Sequence, residues 1–223
     1  MTNEGSLLRR RAEELVALAD KTEQEFVSQN ETLEGRISIG SGELAAGTVL
    51  ARCCEAFHAQ YPLVAFDLLT ANADVVKEQM AKGLLDVGLL LEPVDMDKYD
   101  YIRLPEREEW GVLMRPDDAL AGRKCLTAEE PSALLLILPR RLSVQSELAN
   151  WFDSAYSRLN ICFTSNLSTN SSPMVRQGLG YAIVIHGSLP LLDETKMAFR
   201  PLSPALWTTS VLAWRRQQPF SPA

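Results

Sequence analysis

Between Gly35 and Leu91 the chain switches repeatedly between two hydrophobic periods, and no other feature restricts its fold as much. GRISIG (35–40) sets Ile37 and Ile39 against polar neighbours, the two-residue period of a short strand. A helical pattern follows, in which Ala45, Val49, Cys53, Ala56 and Phe57 share one face and Pro62 acts as terminator. VAFDLLT (64–70) reads as a second strand. Asn72 or Ala73 opens a second helix running to Gly83, and LLDVGLLL (84–91) is apolar enough for a buried strand. Strands alternating with helices call for an α/β fold, a parallel sheet with helices on both faces.

The polar segment 92–98, with one proline, reads as a crossing into a second unit of the same kind. Two short strands are expected around Ile102 and Val112–Met114, and LLLILP (134–139) is a buried strand. Ser143 starts a helix whose apolar contacts are Leu148, Trp151, Phe152 and Tyr156. ICFTS (161–165) is a strand, Ser171 or Ser172 opens a helix with Pro173 in its first turn, and YAIVI (181–185) is a strand. Residues 197–214 hold one or two more strands, and the tail QQPFSPA is loop.

Ahead of both units, residues 6–31 read as one helix with Leu8, Ala12, Leu15, Ala19, Thr22 and Phe26 at spacings of four and three. That is a narrow coiled-coil seam. Such a helix is marginal alone and wants a partner from a second subunit or another domain. Packing on its own globular body is the alternative.

Apolar residues make up 46% and charged residues 23% of the 223, an ordinary globular balance. The net charge of −7 argues against this chain holding a phosphate backbone itself, since that affinity comes from clustered Lys and Arg. Cys53, Cys54, Cys125 and Cys162 form no CxxC pair, and His58 and His186 complete no metal-ligand spacing. Four reduced thiols are expected, some buried, with no metal and no cofactor. The opening MTNEGSLLRRRAEEL is interrupted by charge too early for a signal peptide, and no apolar run approaches the ~20 residues of a membrane span. A cytoplasmic location is expected. No Gly-rich phosphate loop, GxSxG elbow or HExxH occurs, so nothing points to an enzyme.

In open parallel sheets, ligands settle beyond the carboxyl ends of strands, near helix N-termini. Three such places are expected here: Ser41, Gly42 and Glu43; Thr70, Ala71 and Asn72; and Arg140, Arg141 and Ser143; the segment Asn166–Thr169, including Ser168, is a fourth candidate, at the second crossing. Helix N-termini suit a carboxylate or phosphate, hydroxyls of Ser41, Thr70 and Ser143 add donors, and one of the two arginines could pair with an anion. A small carboxylic acid is therefore the leading ligand class. Glu43 places negative charge near the mouth, and Ser41 and Ser143 could simply be helix N-caps.

In order along the chain, GRISIG, AFHAQYP, KGLLDVGLL, DDALAGRK, SNLSTNSSPMVRQGLGYAIV and RPLSPAL resemble segments of the LysR-type transcriptional regulators, over about residues 6–222. The resemblance implies two Rossmann-like lobes joined by two crossover segments, a periplasmic-binding-protein-like fold of type 2, after a partial linker helix (1–34). Lobe I would take 35–92 and 193–223, and lobe II 93–192. A small-molecule effector would sit between them, and His186 stands in that cleft where the family often has proline. The helix carrying Val49, Cys53 and Phe57 would pair subunits into a homodimer or homotetramer. Promoter DNA would be met only through a winged helix-turn-helix ahead of the linker. Oxidant-sensing relatives use a cysteine pair in lobe II, and 139–150 has no cysteine. A solute-binding protein of a transport system is the competing reading.

Overall fold

The computed structural model describes residues 2–27, 33–189, 192–193 and 195–216. The end of the expected first helix and the tail 217–223 lie outside them. Helix α1 (Asn3–Val27) leads. Along its described side chains, Leu8 and Leu15 of the seam stay exposed, at 71% and 68%, so the chain does not bury that seam on itself. One tie to the body is Glu14, which accepts from Lys82 Nζ at 2.9 Å.

The first unit runs β1 (Glu34–Ser41), α2 (Gly47–Gln60), β2 (Leu63–Thr70), α3 (Ala73–Ala81) and β3 (Val87–Leu91). Strand β1 pairs parallel with both β2 and β3. Helix α3 lies close on this sheet because Gly40 and Gly88 present no side chain beneath it. A Cβ on Gly40 would meet Val76 Cγ1 at 2.5 Å and Leu85 Cδ1 at 2.7 Å. Around that contact Val76, Met80, Leu85, Leu90, Tyr99, Val211 and Ala213 form one buried cluster. The helix stops where Gly83 takes a φ of +76°, freely open to glycine, and the Leu84 N–H returns to the Gln79 carbonyl. That turn uses up the start of the expected 84–91 strand.

The second unit runs α4 (Glu129–Ser132), β5 (Leu135–Pro139), α5 (Leu142–Phe152), β6 (Asn160–Ser165), α6 (Ser168–Arg176) and β7 (Tyr181–Ile185). Strand β5 pairs parallel with β6 and β7. Helix α6 ends as α3 does, on a glycine of positive φ, Gly178.

Several local expectations are corrected. The two strands around Ile102 and Val112–Met114 are one strand, β4 (Tyr99–Met114), which pairs antiparallel with β9 (Trp207–Arg215). A register shift between Arg103 and Arg107 absorbs Pro105, so the proline bends the strand without ending it. Helix α6 begins at Ser168, ahead of Ser171, which places Pro173 inside it. Helix α5 begins at Leu142 with Arg141 in the cap position, so Ser143 is not its N-cap. None of the four cysteines is buried.

The sheet order is β2-β1-β3-β9-β4-β7-β5-β6, and β4 and β9 carry it from one lobe to the other. Strand β8 (Ala198–Pro201) pairs with the Gly111–Met114 part of β4, so the closing segment serves both halves of the sheet. A core shared by both halves runs under the junction, from Leu44, Ala46 and Leu89 to Trp110, Val112, Leu138, Ile183 and Ile185.

Candidate functional site: the cleft between the lobes

The parallel strands of both lobes point their carboxyl ends at one place. There a cavity of about 90 Å³ opens, several times the ~10–15 Å³ one water needs. Its apolar floor includes Leu44, Leu89, Leu91, Trp110, Leu138, Val144 and Ile183. The exposed Arg140 and Asn166 lie at its rim, and its polar lining also includes Asn72, Ser168 and the buried Ser171 and Ser188.

Seven of the twelve expected ligand residues line this cavity: Gly42, Glu43, Asn72, Arg140, Arg141, Asn166 and Ser168. Five do not. The Ser41 hydroxyl, buried at 5%, donates to the Gly42 carbonyl at 2.8 Å. Thr70 is exposed and lines a neighbouring cavity under α2, and Ala71 is buried with its N–H on the Ser41 carbonyl. Ser143 is half-buried in the first turn of α5, outside the lining. His186, just after β7, is exposed and outside the lining, its ring 5.1 Å from that of Phe199.

The polar groups of the lining are largely committed to the protein. The Asn72 side chain caps α3, accepting from Val75 N–H at 3.1 Å. Arg141 donates to the Leu91 carbonyl at 3.0 Å and the Pro93 carbonyl at 2.7 Å, and its Nε lies 3.3 Å from Asp74. It thereby ties lobe II to the crossing segment, and burial pulls its guanidinium below the usual arginine range. Arg140 remains exposed at the rim.

Glu43 bridges the lobes. Its Oε2 accepts the backbone N–H of Ser168 at 2.9 Å and of Thr169 at 3.2 Å, the first two residues of α6. Leu167, in the cap position, has no side chain that could accept them. The positive end of the α6 dipole is therefore neutralised from the other lobe.

A second carboxylate does the same for α2. Glu108 of β4 is fully buried and accepts from Ala45 N–H at 2.6 Å, while its Oε2 has no hydrogen-bond partner. Burial pushes this carboxyl up, and the facing N–H groups of Ala45, Ala46 and Gly187 oppose that shift. Gly187 is required here, since a Cβ would run into Glu108 Oε2 and the Ala45 backbone nitrogen. Neither Glu108 nor Trp110 stands out in the sequence. The one available signal was the two-residue period Glu108, Trp110, Val112, which puts them on one face of β4.

The described residues hold no group of three or more His, Cys, Asp or Glu able to bind a metal. They hold no helix long and apolar enough to cross a membrane. Residues 30–223 match the family described as the LysR substrate binding domain. The chain belongs to that family. It is 26% identical over 202 residues to the uncharacterized HTH-type transcriptional regulator YvbU of Bacillus subtilis, spanning 91% of this chain and 65% of that protein. In fold it is similar to CbnR, a LysR family transcriptional regulator, with a TM-score of 0.77 at 17% identity over 100% of this chain and 78% of CbnR. It is also similar to the Synechocystis PCC6803 CcmR regulatory domain, with a TM-score of 0.70 at 16% identity over 84% of this chain and 91% of that one. The LysR regulatory-domain fold, two lobes of periplasmic-binding-protein type behind a linker helix, is therefore the fold of this chain.

Proposed function

We propose that the inter-lobe cavity is a sensor site for a small carboxylic acid, and that the chain is the effector-reading part of a longer transcription regulator. One observation carries the reading: both lobes aim helix N-termini at one partly apolar cavity, and the N-terminus of α6 already accepts a carboxylate there, that of Glu43. The apolar floor suits a compact hydrocarbon body. The CcmR regulatory domain, similar in fold, is known in complex with 2-PG.

In this reading lobe I comprises 35–92 and 193–223, and lobe II 93–192. Ligand arrival changes the angle between them, and the change passes through α1 to a DNA-binding domain ahead of it. The exposed Leu8 and Leu15 of α1 supply a seam for a second copy, with Val49, Cys53 and Phe57 of α2 as a further contact face. The protein acts in the cytoplasm, as a binding module and not an enzyme.

A thermal-shift panel of aliphatic and aromatic acids, with their amides as neutral controls, tests the reading. A ligand at 100 times its dissociation constant adds about 2.7 kcal/mol of stability. The expected result is a shift with acids that Arg140→Ala or Asn166→Ala diminishes. Shifts with amides alone would overturn the carboxylate class. Shifts insensitive to both rim variants would move the ligand out of this cleft.

A further inference from the structure

The α6 seat is occupied by the protein itself, and the occupant comes from the opposite lobe. Glu43 belongs to the segment between β1 and α2, whereas Ser168 and Thr169 begin α6. Two charge-assisted bonds across the cleft therefore hold the lobes together at its mouth. Glu43 also lines two cavities at once. On one side is the cleft of about 90 Å³, and on the other a wider, mostly apolar cavity of about 440 Å³ under α2, bounded by Leu50, Cys54 and Phe66. Arg141 lines the cleft as well. It is nine-tenths buried, and its Nε, facing Asp74, makes no hydrogen bond. The cleft lining thus holds a buried cation, paired with Asp74, and an anion that reaches across from the other lobe.

We propose that Glu43 is a built-in competitor for the effector's carboxylate: an acid binds by replacing Glu43 at the Ser168 and Thr169 N–H groups, so that ligand arrival and release of the inter-lobe latch are one event. This rests on the small-acid reading of the cleft. One oxygen of Glu43 takes both N–H donors, so an acid that engages both must displace it from that seat. The displaced side chain has the cavity under α2 to turn into. Because Glu43 fills the seat, it lowers apparent affinity by the fraction of molecules in which the seat is open.

Removing the competitor must therefore strengthen anion binding. Acetate, the smallest carboxylate, is the probe, and acetamide its neutral isostere. Backbone amide resonances of Ser168 and Thr169 are followed by NMR in the 223-residue chain. In Glu43→Ala these resonances move with acetate at concentrations at least about tenfold below those needed by the unaltered chain, and acetamide moves neither. Glu43→Gln, which keeps a neutral acceptor of the same shape, falls between and serves if the alanine variant is unstable. Equal acetate titrations in all three proteins, or no response at Ser168 and Thr169 in the variants, would overturn the competitor. The acid panel stands apart from this result. Panel hits that depend on the rim, without an acetate difference, retain the sensor and remove the latch; the acetate difference without panel hits does the reverse.

Discussion

The guanidinium of Arg141 donates to the Pro93 carbonyl at 2.7 Å, joining the start of α5 to the segment where the chain crosses between lobes. The residue is 9% exposed, and its second terminal nitrogen is spent on the Leu91 carbonyl. Hydrogen bonds from charged groups contribute about 1.5–3 kcal/mol, and a carbonyl left buried without a partner costs about 1–3 kcal/mol. Arg141→Met should therefore lower unfolding stability by about 2–4 kcal/mol in a urea titration. A loss under about 0.5 kcal/mol, typical of a surface site, would show that the clamp is not structural.

Glu108's contribution to stability depends on pH in a direction opposite to that of an ion-paired carboxylate such as Glu92, whose pKa Arg103 lowers. The folded-state pKa of Glu108 is raised above the usual 4.5 by burial. The folded protein then holds this proton where the unfolded chain has lost it. Glu108's contribution to stability accordingly falls as pH rises from about 4.5 through the raised value. Denaturation curves between pH 4 and 8 should show this decline in the unaltered chain and a flatter profile in Glu108→Gln. Superimposable profiles would refute the assignment.

The Tyr181 hydroxyl donates to Asp118 Oδ2, and that bond pushes the phenol up to about 12. Tyr181 should ionise well above the ordinary tyrosine value of 10 in an ultraviolet titration. Replacing Asp118 by Asn should return it toward 10. The bond favours the folded state fully below the ordinary value of 10, and that benefit is lost as pH climbs toward 12. Asp118 also accepts from Leu120 N–H at 2.8 Å, a bond the Asn oxygen can keep, so the local turn should stay in place in the same variant.

Gly40→Ala probes the seating of α3. The added methyl meets the branched Val76, which cannot rotate out of the way as a flexible side chain would. Overpacking of this kind costs about 1–3 kcal/mol. Since α3 carries Asn72 to the cleft, ligand-induced thermal shifts should shrink along with stability. Full stability in the alanine variant would mean that the helix can back away from the sheet at no cost.

Most of the architecture was legible in the chain because it follows from local periods. Ile37 and Ile39 alternate, Val76 and Met80 recur at four, and Gly83 and Gly178 stop their helices with a φ that glycine tolerates. Segment order then imposed parallel pairing in each unit, and strand ends marked where a ligand could sit. Gly42, Glu43, Asn72, Arg140 and Arg141 were expected at a ligand site on those grounds, Asn166 and Ser168 at the second crossing, and all seven line the cleft. What tertiary structure decided is which polar groups remain available there, because partners far apart in sequence settle that. The reach of Glu43 across 125 positions to Ser168, and of Arg141 across 48 to Pro93, has no local signature. Nor does the packing of Glu108 against Gly187, or the contact of the His186 ring with Phe199. Hydrophobic pattern fixes which face of an element is buried, whereas hydrogen-bond pairing across a cleft is fixed only once both lobes are folded.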